Sequence, residues 1–279
     1  MKYLNFTQQI LLFTLLLTSY LSFSANIIFD LNGVLVKSHT LSSVWQIGPT
    51  NFFGYYNPLH FETYLYDFLQ LCESDHQFEI LAEHKGQPLP PILCEWLNGT
   101  KTCAEILERI SSAIENNPIF FQQYCPKKLI RSTTNFMFTP EKFIKSIRIN
   151  KKGYRLFKKC RKLSYHTGQP VHKIFILSNW DAESYQLLKN KSKIGYMLHA
   201  ADGHIISGNV HLIKPDPAIY ELLFETYNID PDKETTVYID DELINIRAAD
   251  SLNKKHMYNL HCTSFTEVKK QLRILNIIP

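Results

Sequence analysis

Glycine is scarce in this sequence, and several motifs that mark common enzyme classes do not occur in it. The chain has 10 glycines in 279 residues, about half of the usual frequency of ~7%. It contains no internal repeat, no CxxC pair, no HExxH segment and no GxSxG segment. These absences argue against collagen, glycine-rich disorder, a cysteine zinc site, a zinc protease and a serine hydrolase with a nucleophile elbow.

A large net charge is also missing. Lys and Arg number 30 and Asp and Glu 26, so the formal charge of +4 is too small to indicate a nucleic-acid partner. The basic run 151–162 is interleaved with Tyr154, Leu156 and Phe157, which predicts a helix with one buried stripe and a solvated basic face. An anion- or membrane-binding patch is the alternative. Hydrophobic residues make up 45% of the chain and aromatic residues 13%, enough for a globular core.

The first 25 residues follow the order of a secretory signal peptide. Lys2 precedes an apolar run at 10–17, which continues more weakly to Phe23, and the small residues Ser24 and Ala25 follow. We therefore expect residues 1–25 to be a signal peptide, with export to the periplasm or outside the cell and removal of 24 or 25 residues. The uninterrupted run is shorter than the ~20 residues of a spanning helix, so no stable membrane span is expected after cleavage. A retained anchor formed by residues 10–24 is the alternative.

Export changes what the cysteines predict. Four of the six cysteines lie between residues 72 and 125. In an oxidising compartment, we expect at least one disulfide among Cys72, Cys94, Cys103 and Cys125. Cys160 and Cys262 are expected to be buried thiols.

The middle of the chain differs in composition and periodicity from the segments on either side of it. A short apolar strand is expected at 26–30, followed by a turn at Asn32-Gly33. Residues 40–147 are rich in aromatics, show helical spacing at 59–72, 101–116 and 140–148, and contain no strong strand run. This segment, called the insert below, is therefore predicted to be all-helical.

Strands and helices alternate after the insert. The predicted strands are 171–177, 236–239 and 256–260, the predicted helices are 151–164, 181–191, 217–227, 243–252 and 264–273, and a turn is expected at Ser207-Gly208. Such alternation indicates a parallel sheet covered on both faces. The fold class is therefore α/β, a Rossmann-like core formed by 26–39 and 148–279 with an inserted helical cap at 40–147.

Polar side chains follow the predicted strands. The first strand ends at Asp30, the second at Ser178 and Asn179, and a later one at Asp240 and Asp241, while Lys214 follows the Gly208 turn. Catalytic groups in parallel sheets gather at the carboxyl ends of strands. A nucleophilic carboxylate, a carboxylate pair for Mg²⁺, an ammonium and a hydroxyl together suit phosphoryl transfer.

Four segments carry these residues in a familiar order. They are IIFDLNGVL at 27–35, IFILSNW at 174–180, SGNVHLIKPDPAIYELL at 207–223 and VYIDDELINIRAA at 237–249. The sequence here resembles the haloacid dehalogenase-like (HAD) superfamily, in the branch of the 2-haloacid dehalogenases and the phosphatase domain of soluble epoxide hydrolase. The resemblance covers 26–37 and about 150–262, and the insert lies where that branch carries its helical cap.

The resemblance implies a Mg²⁺-dependent hydrolase that acts on a small phosphorylated molecule through an aspartyl-phosphate. Asn245 stands where many relatives carry another acid, so this position is neutral here. The implied roles are nucleophile and metal ligand for Asp30, metal ligand through its backbone carbonyl for Asn32, phosphate binding for Ser178 with Asn179 beside it, charge neutralisation of nucleophile and phosphate for Lys214, and Mg²⁺ ligation for Asp241 supported by Asp240.

One departure from the family pattern bears directly on activity. Phosphatases of this superfamily usually carry a second Asp two residues after the nucleophile as the general acid and base, and this chain has Asn32 there. An amide has no proton to exchange, and general acid–base help is typically worth ~10²–10⁴ in rate. Three readings stay open: a slow phosphatase, a catalytically degenerate binding protein, and a dehalogenase-like hydrolase whose halide needs no acid. His39 is the candidate histidine to replace the missing acid.

Overall fold

The computed structural model describes residues 24–52, 61–78, 81–123, 126–161, 168 and 171–279. Nearly all of the predicted signal peptide, and Cys125, lie outside these residues. Within the described ranges, no helix combines the length and the apolar character that crossing a membrane requires.

Nine strands and fourteen α-helices follow one another in the described residues, with a short 3₁₀ helix at Pro49–Phe52. The strands are β1 (Asn26–Phe29), β2 (Val36–Ser38), β3 (Glu83–His84), β4 (Gln87–Pro88), β5 (Ile147–Ile149), β6 (Lys173–Ser178), β7 (Gly203–Ile206), β8 (Thr236–Asp240) and β9 (Met257–His261). The helices are α1 (Thr40–Ile47), α2 (Phe61–Gln70), α3 (Pro91–Leu97), α4 (Cys103–Asn116), α5 (Pro118–Gln123), α6 (Lys127–Met137), α7 (Pro140–Ser146), α8 (Lys151–Cys160), α9 (Ala182–Lys189), α10 (Ser192–His199), α11 (Ser207–Val210), α12 (Pro217–Tyr227), α13 (Leu243–Ser251) and α14 (Phe265–Ile274).

The main sheet has five parallel strands in the order β7–β6–β1–β8–β9. Successive side chains of a strand point to opposite faces, and β1 shows this directly. Ile27 and Phe29 belong to the core cluster that contains α8, α9, α10 and α14, whereas Ile28 packs with α12 and α13. Both faces are therefore buried, which confirms the predicted α/β class with a parallel sheet.

The insert has a hydrophobic core of its own. Phe68, Ile92, Ile106 and Ile130 are fully buried in a cluster separate from the two that cover the sheet. The chain passes between sheet and insert through β2 and β5, which pair antiparallel with Val36 opposite Ile149. The boundaries predicted for the signal peptide, core and cap stay predictions.

Several local expectations were wrong. The insert is not all-helical, because β3 and β4 form a two-stranded hairpin within it. Ser207-Gly208 begins the short helix α11 instead of a turn, and the strand before it, β7, was missed. With only four residues, one of them Gly203, this edge strand shows too little periodicity to be recognised.

The predicted disulfide is not found among the described cysteines. Cys72, Cys94 and Cys103 are buried free thiols, and Cys125 lies outside the described residues. Burial raises the pKa of the Cys72 thiol to about 12, so it is held protonated. Cys160 and Cys262 are also buried free thiols, as predicted.

Candidate active site

Three neighbouring strands end at the same edge of the main sheet. Asp30 follows β1 directly, Ser178 ends β6 and Asp240 ends β8, and β6 and β8 flank β1 on either side. Parallel strands run in one direction, so their carboxyl ends necessarily meet. The sheet therefore brings together residues that lie far apart in the chain.

Lys214 lies at the centre of this edge and is 1% exposed. Its Nζ donates hydrogen bonds to Asp30 Oδ1 at 2.7 Å, to Asp240 Oδ2 at 2.7 Å and to the Leu177 carbonyl at 3.0 Å. All three of its N–H donors are thus used. Burial by itself lowers the pKa of Lys214, but the Asp240 and Asp30 carboxylates outweigh it and raise the pKa above its usual value. The side chain is a fixed positive charge beside Asp30.

Asn179 positions Lys214 through the backbone. Its amide Nδ2 donates to the Lys214 carbonyl at 2.9 Å, and its Oδ1 accepts from the Lys214 N–H at 2.8 Å. The peptide bond that follows, Lys214-Pro215, is cis, and the Asp216 side chain then caps α12. Asn179 also lines the cavity described below, but its observed contacts are those of a residue that orients the lysine.

The adjacent aspartates at the end of β8 have different surroundings. Asp240 is fully buried and accepts hydrogen bonds from Lys214 Nζ, the Tyr238 hydroxyl, Asn245 Nδ2 and the Glu242 N–H. Both of its oxygens are occupied, so Asp240 acts here as an anchor for Lys214. Both of these adjacent carboxylates were predicted as metal ligands, and of the two only Asp241 is left with open coordination capacity.

Asp241 packs against the loop that follows β1. Gly33 has φ +77°, and a Cβ on it would lie 1.8 Å from Asp241 Oδ2, so only glycine permits this approach. Burial raises the pKa of Asp241 to about 6, with the Asp240 and Glu242 charges adding to the effect. Burial also raises the pKa of Asp30, opposed by Lys214 and reinforced by Asp240 and Asp241. A cation between Asp30 and Asp241 would relieve this repulsion.

Ser178 and Asn32 occupy contrasting positions. Ser178 is fully buried, and its hydroxyl has no hydrogen-bond partner among the described residues. A buried polar group without a partner costs about 1–3 kcal/mol, which is consistent with a hydroxyl that pairs with a bound ligand. It is absent, however, from the described residues that line the cavity, whereas the exposed Asn32 is among them.

A cavity of about 330 Å³ opens onto Asp30, Asn32, Lys214 and Asp241. Lys214 is the sole Lys or Arg among the described residues that line it. Its other polar lining includes the insert residues Glu62, Tyr66, Glu83 and His84 together with Glu242, and its apolar walls are Leu65, Leu89, Leu93, Trp96, Leu97, Met137, Phe143 and Trp180.

The predicted substitute for the missing acid was wrong. The His39 ring is exposed and accepts a hydrogen bond from the Ser42 N–H, which caps α1, and His39 is not among the described residues that line the cavity. His84 is the described histidine that lines it. Its Nδ1 lies 3.2 Å from Glu242 Oε1. No motif in the sequence distinguishes His84 from the other histidines, since its position depends on how the insert folds onto the sheet.

The donor set fits Mg²⁺. Among the described residues, no three His, Cys, Asp or Glu side chains converge as a metal-holding group. Mg²⁺ is usually held by only one or two carboxylates, with substrate phosphate and water as the other ligands. Asp30, Asp241 and the backbone of Asn32 offer oxygen ligands of this kind beside the cavity, and the mutual repulsion of the two carboxylates favours a cation.

The fold is shared with solved HAD structures. One is a predicted HAD-like family hydrolase from Porphyromonas gingivalis, which is 17% identical, with a TM-score of 0.52 over 90% of this chain and 98% of that one. Another is a HAD-family enzyme from Bacteroides thetaiotaomicron in complex with magnesium and inorganic phosphate, 17% identical, with a TM-score of 0.50 over 85% and 93% of the two chains. A dehalogenase structure is 14% identical, with a TM-score of 0.51 over 89% and 97%.

No protein-family model matches the sequence, and no curated protein matches it. The likeness to solved structures is one of fold. The chain has the fold of the HAD-like hydrolase superfamily, as the resemblance predicted.

Proposed function

We propose that this protein is a Mg²⁺-dependent phosphatase that hydrolyses small phosphate monoesters through an aspartyl-phosphate. The observation that carries the proposal is the ion cluster of Asp30, Lys214 and Asp240 at the strand ends, which faces a cavity also lined by Asp241. A fixed cation beside a buried carboxylate suits the handling of a phosphoryl group, whose negative charge must be neutralised as the carboxylate approaches.

The contact with Lys214 gives the two carboxylate oxygens of Asp30 different roles. Lys214 holds Oδ1 at 2.7 Å, which leaves Oδ2 to attack phosphorus. A bond forms between Oδ2 and phosphorus as the bond from phosphorus to the leaving oxygen breaks, and that oxygen takes the electron pair and then a proton. Water next attacks the aspartyl-phosphate, which releases inorganic phosphate and restores the Asp30 carboxylate.

Asp30, Asp241 and the backbone carbonyl of Asn32 would hold Mg²⁺. When bound, the ion supplies positive charge to the phosphoryl oxygens. Ser178 would offer its unpaired, buried hydroxyl to a phosphate oxygen that reaches past the cavity lining, and Asn179 keeps Lys214 in place. Asp240 contributes indirectly, because its contacts hold the lysine at the nucleophile.

The cavity favours one class of phosphate ester. Its walls are mainly apolar, and Glu62 and Glu83 line it while no cation other than Lys214 does so among the described Lys and Arg residues. A second phosphate or carboxylate on the substrate would meet Glu83 and Glu62, the latter already paired with Lys85, and no further cation among the described residues of the cavity wall. We therefore expect monophosphates of small apolar alcohols or phenols to be better substrates than bisphosphates or nucleotides.

The test is hydrolysis of a panel of small phosphates with and without Mg²⁺. The panel should contain 4-nitrophenyl phosphate, phenyl phosphate, simple alkyl phosphates and a sugar bisphosphate. Asp30→Asn should abolish turnover, while Asp67→Asn, an exposed aspartate outside the described cavity lining, should not change it. Wild-type turnover that is absent for every phosphate, or that is unaffected by Asp30→Asn, would contradict the proposal.

One observation favours a second candidate, dehalogenase-like hydrolysis. Asp240 has a complete set of partners without any metal, so its presence does not by itself require Mg²⁺. An apolar cavity and the absence of an acid at Asn32 also suit a halide leaving group. Release of halide from a 2-haloacid without Mg²⁺, together with no phosphate release, would replace the phosphatase proposal. Tight phosphate binding without turnover would favour the degenerate binding protein.

A further inference from the structure

We propose that His84, oriented by Glu242, is the general acid that protonates the leaving group. This inference rests on the proposed phosphatase function and assigns to His84 the proton transfer that Asn32 cannot perform. His84 belongs to the insert, and Glu242 follows the carboxylate pair of the sheet. The proposed acid and the residue that orients it therefore come from different parts of the chain.

The His84 side chain is held at the mouth of the site by a short hairpin. β3 and β4 are joined through Lys85 and Gly86, and the Lys85 N–H donates to Glu242 Oε1 at 2.8 Å. His84 Nδ1 lies 3.2 Å from the same oxygen. The Glu242 N–H in turn donates to Asp240 Oδ1 at 2.8 Å. A continuous chain of hydrogen bonds thus connects the hairpin with the anchor of Lys214.

The hydrogen bonds leave the other ring nitrogen of His84 available. Nδ1 is engaged with Glu242, and Nε2 has no partner among the described residues. A carboxylate bound at Nδ1 fixes the orientation of the ring, so that Nε2 is the atom free to exchange a proton with a ligand. The His84 side chain is 35% exposed and lines the cavity that also contains Asp30 and Asn32, so it can reach both substrate and water.

Every proton that His84 gives up in the first half-reaction is regained in the second. In the first, the bond from phosphorus to the leaving oxygen breaks, and that oxygen takes the electron pair and the proton from His84 Nε2. In the second, a water oxygen bonds to phosphorus, the bond to Asp30 Oδ2 breaks, and one proton of the water passes to solvent, from which Nε2 is protonated again. His84 returns to the imidazolium and Asp30 to the carboxylate, and no other reactant is required.

The other proton-bearing groups around His84 suit this role less well. Burial opposes ionisation of Glu242, but hydrogen bonds from His84 and Lys85 outweigh it and lower its pKa, so it is an acceptor. Burial raises the pKa of Tyr66 to about 12, which makes it a weak acid at neutral pH. Glu62 pairs with Lys85 Nζ at 3.0 Å. Glu83, the neighbour of His84 on β3, and Asp181 also line the cavity, and both oxygens of Asp181 accept hydrogen bonds from Ser184 as the cap of α9.

The experiment compares leaving groups in His84→Gln. A phenolate such as nitrophenolate departs without a proton, whereas an alkoxide needs one. We expect His84→Gln to lower kcat for alkyl phosphates about 100-fold and kcat for 4-nitrophenyl phosphate less than about 3-fold, within the range of general acid catalysis. His39→Gln is the matched control, since this exposed histidine caps α1 away from the described cavity lining, and it should change neither rate.

Two further variants separate proton transfer from a structural effect. Asn32→Asp introduced into His84→Gln should restore alkyl phosphate turnover, because it supplies an acid at another position. Glu242→Gln should keep an acceptor for the Lys85 N–H but weaken the contact that orients the His84 ring, so kcat should fall more for alkyl phosphates than for 4-nitrophenyl phosphate.

Each remaining result would overturn the inference. If His84→Gln lowers all rates equally, His84 only shapes the hairpin. If the alkyl rates do not fall, or Asn32→Asp does not restore them, another group is the acid. Absence of wild-type turnover of 4-nitrophenyl phosphate would overturn the phosphatase proposal as well, whereas turnover of that ester with unchanged alkyl rates in His84→Gln would overturn the role of His84 alone.

Discussion

The two adjacent aspartates at the end of β8 have different roles because their side chains have different neighbours. Asp240 is surrounded by donors from Lys214, Tyr238 and Asn245 and by a backbone N–H, and it is fully buried. Asp241, one residue later, faces the loop after β1 and retains open oxygens. The Asn245 amide donates to Asp240 at 3.1 and 3.2 Å, so a neutral donor suits this place.

Asn32→Asp should raise activity in a way that depends on the leaving group. The new carboxyl can protonate the departing oxygen, so the rate with alkyl phosphates should rise about 10-fold or more, while the rate with aryl phosphates should rise little. The measurement is the ratio of the two gains in kcat. Equal gains would mean that Asn32 acts through the metal site or the loop geometry. The gain should be larger in the His84→Gln background than in the wild type.

Gly33→Ala should damage the site beyond its effect on the backbone. A methyl group there would lie 1.8 Å from Asp241 Oδ2, and the residue has φ +77°. The backbone strain costs about 1–2 kcal/mol. Because the Asp241 carboxylate would be displaced, Mg²⁺ should bind more weakly and turnover should fall. Gly168→Ala is the control, because Gly168 has φ +65° with nothing within 4 Å of the added carbon. Thermal unfolding should show a similar loss of stability in both variants. Titration of activity with Mg²⁺ should show a loss only in Gly33→Ala.

At the scale of elements, the insert is stabilised by a buried carboxylate on α3. Glu95 is fully buried, and its Oε1 accepts hydrogen bonds from the Asp75 N–H at 2.7 Å and the His76 N–H at 3.1 Å. Its Oε2 lies 3.4 Å from Arg109 Nη1 on α4. One side chain therefore joins α3, α4 and the loop after α2.

Glu95→Ala should lower the free energy of unfolding by about 2–4 kcal/mol, because two backbone donors and Arg109 lose a buried acceptor. Urea unfolding measures this. Glu115→Ala is the matched control, since Glu115 pairs with Lys127 and Arg131 while 59% of its side chain is exposed, and it should change stability little. Similar losses in both variants would show that Glu95 is not the support inferred here.

Whole-molecule stability depends in part on one histidine that joins distant parts of the chain. His172 is 4% exposed. Its Nδ1 accepts from the Ala25 N–H at 3.2 Å, so Nε2 carries the proton and donates to the Ile277 carbonyl at 2.9 Å. Both nitrogens are satisfied only in the neutral ring. Burial lowers the pKa of His172, against the opposing hydrogen bond to Ile277.

Acid should therefore destabilise the protein through His172. Below its ordinary pKa of 6.5, the unfolded chain takes up a proton that the folded protein resists, so stability falls as the pH falls from about 6.5 towards the lowered value. Urea unfolding between pH 8 and pH 5 measures the change. His172→Gln should be less stable at pH 8 and should lose less stability on acidification, and an unchanged pH dependence in that variant would contradict the assignment.

Export with removal of the signal segment is a further proposal at this scale. Ala25 is buried and its N–H donates to His172, and β1 begins at Asn26. Cleavage after Ser24 would keep this donor as the new amino terminus, so we expect Ala25 to be the first residue of the mature protein. Mass analysis of the N-terminal peptide from natively produced protein tests this, and an intact Met1 would count against cleavage.

Much of the architecture follows from the sequence because it depends on local patterns. The boundaries of α12 were predicted at 217–227, as observed, since Asp216 and Pro217 mark its start and a regular apolar spacing follows. The ends of β1, β6 and β8 could be located from apolar runs that stop at polar residues. Parallel strands then require these ends to meet, so the sequence was sufficient to place Asp30 and Asp240 together.

The tertiary structure decided what no local pattern encodes. Whether Asp240 holds a metal or a lysine depends on the approach of Lys214, 26 positions away in the chain, and His84 comes near Glu242 because the insert folds back onto the sheet. The hydrogen bond from Lys85 to Glu242 joins residues 157 positions apart. Residue type and periodicity indicate which face of a helix or strand a side chain occupies. A contact between residues so far apart in the chain depends instead on how two separate hydrophobic cores pack against each other.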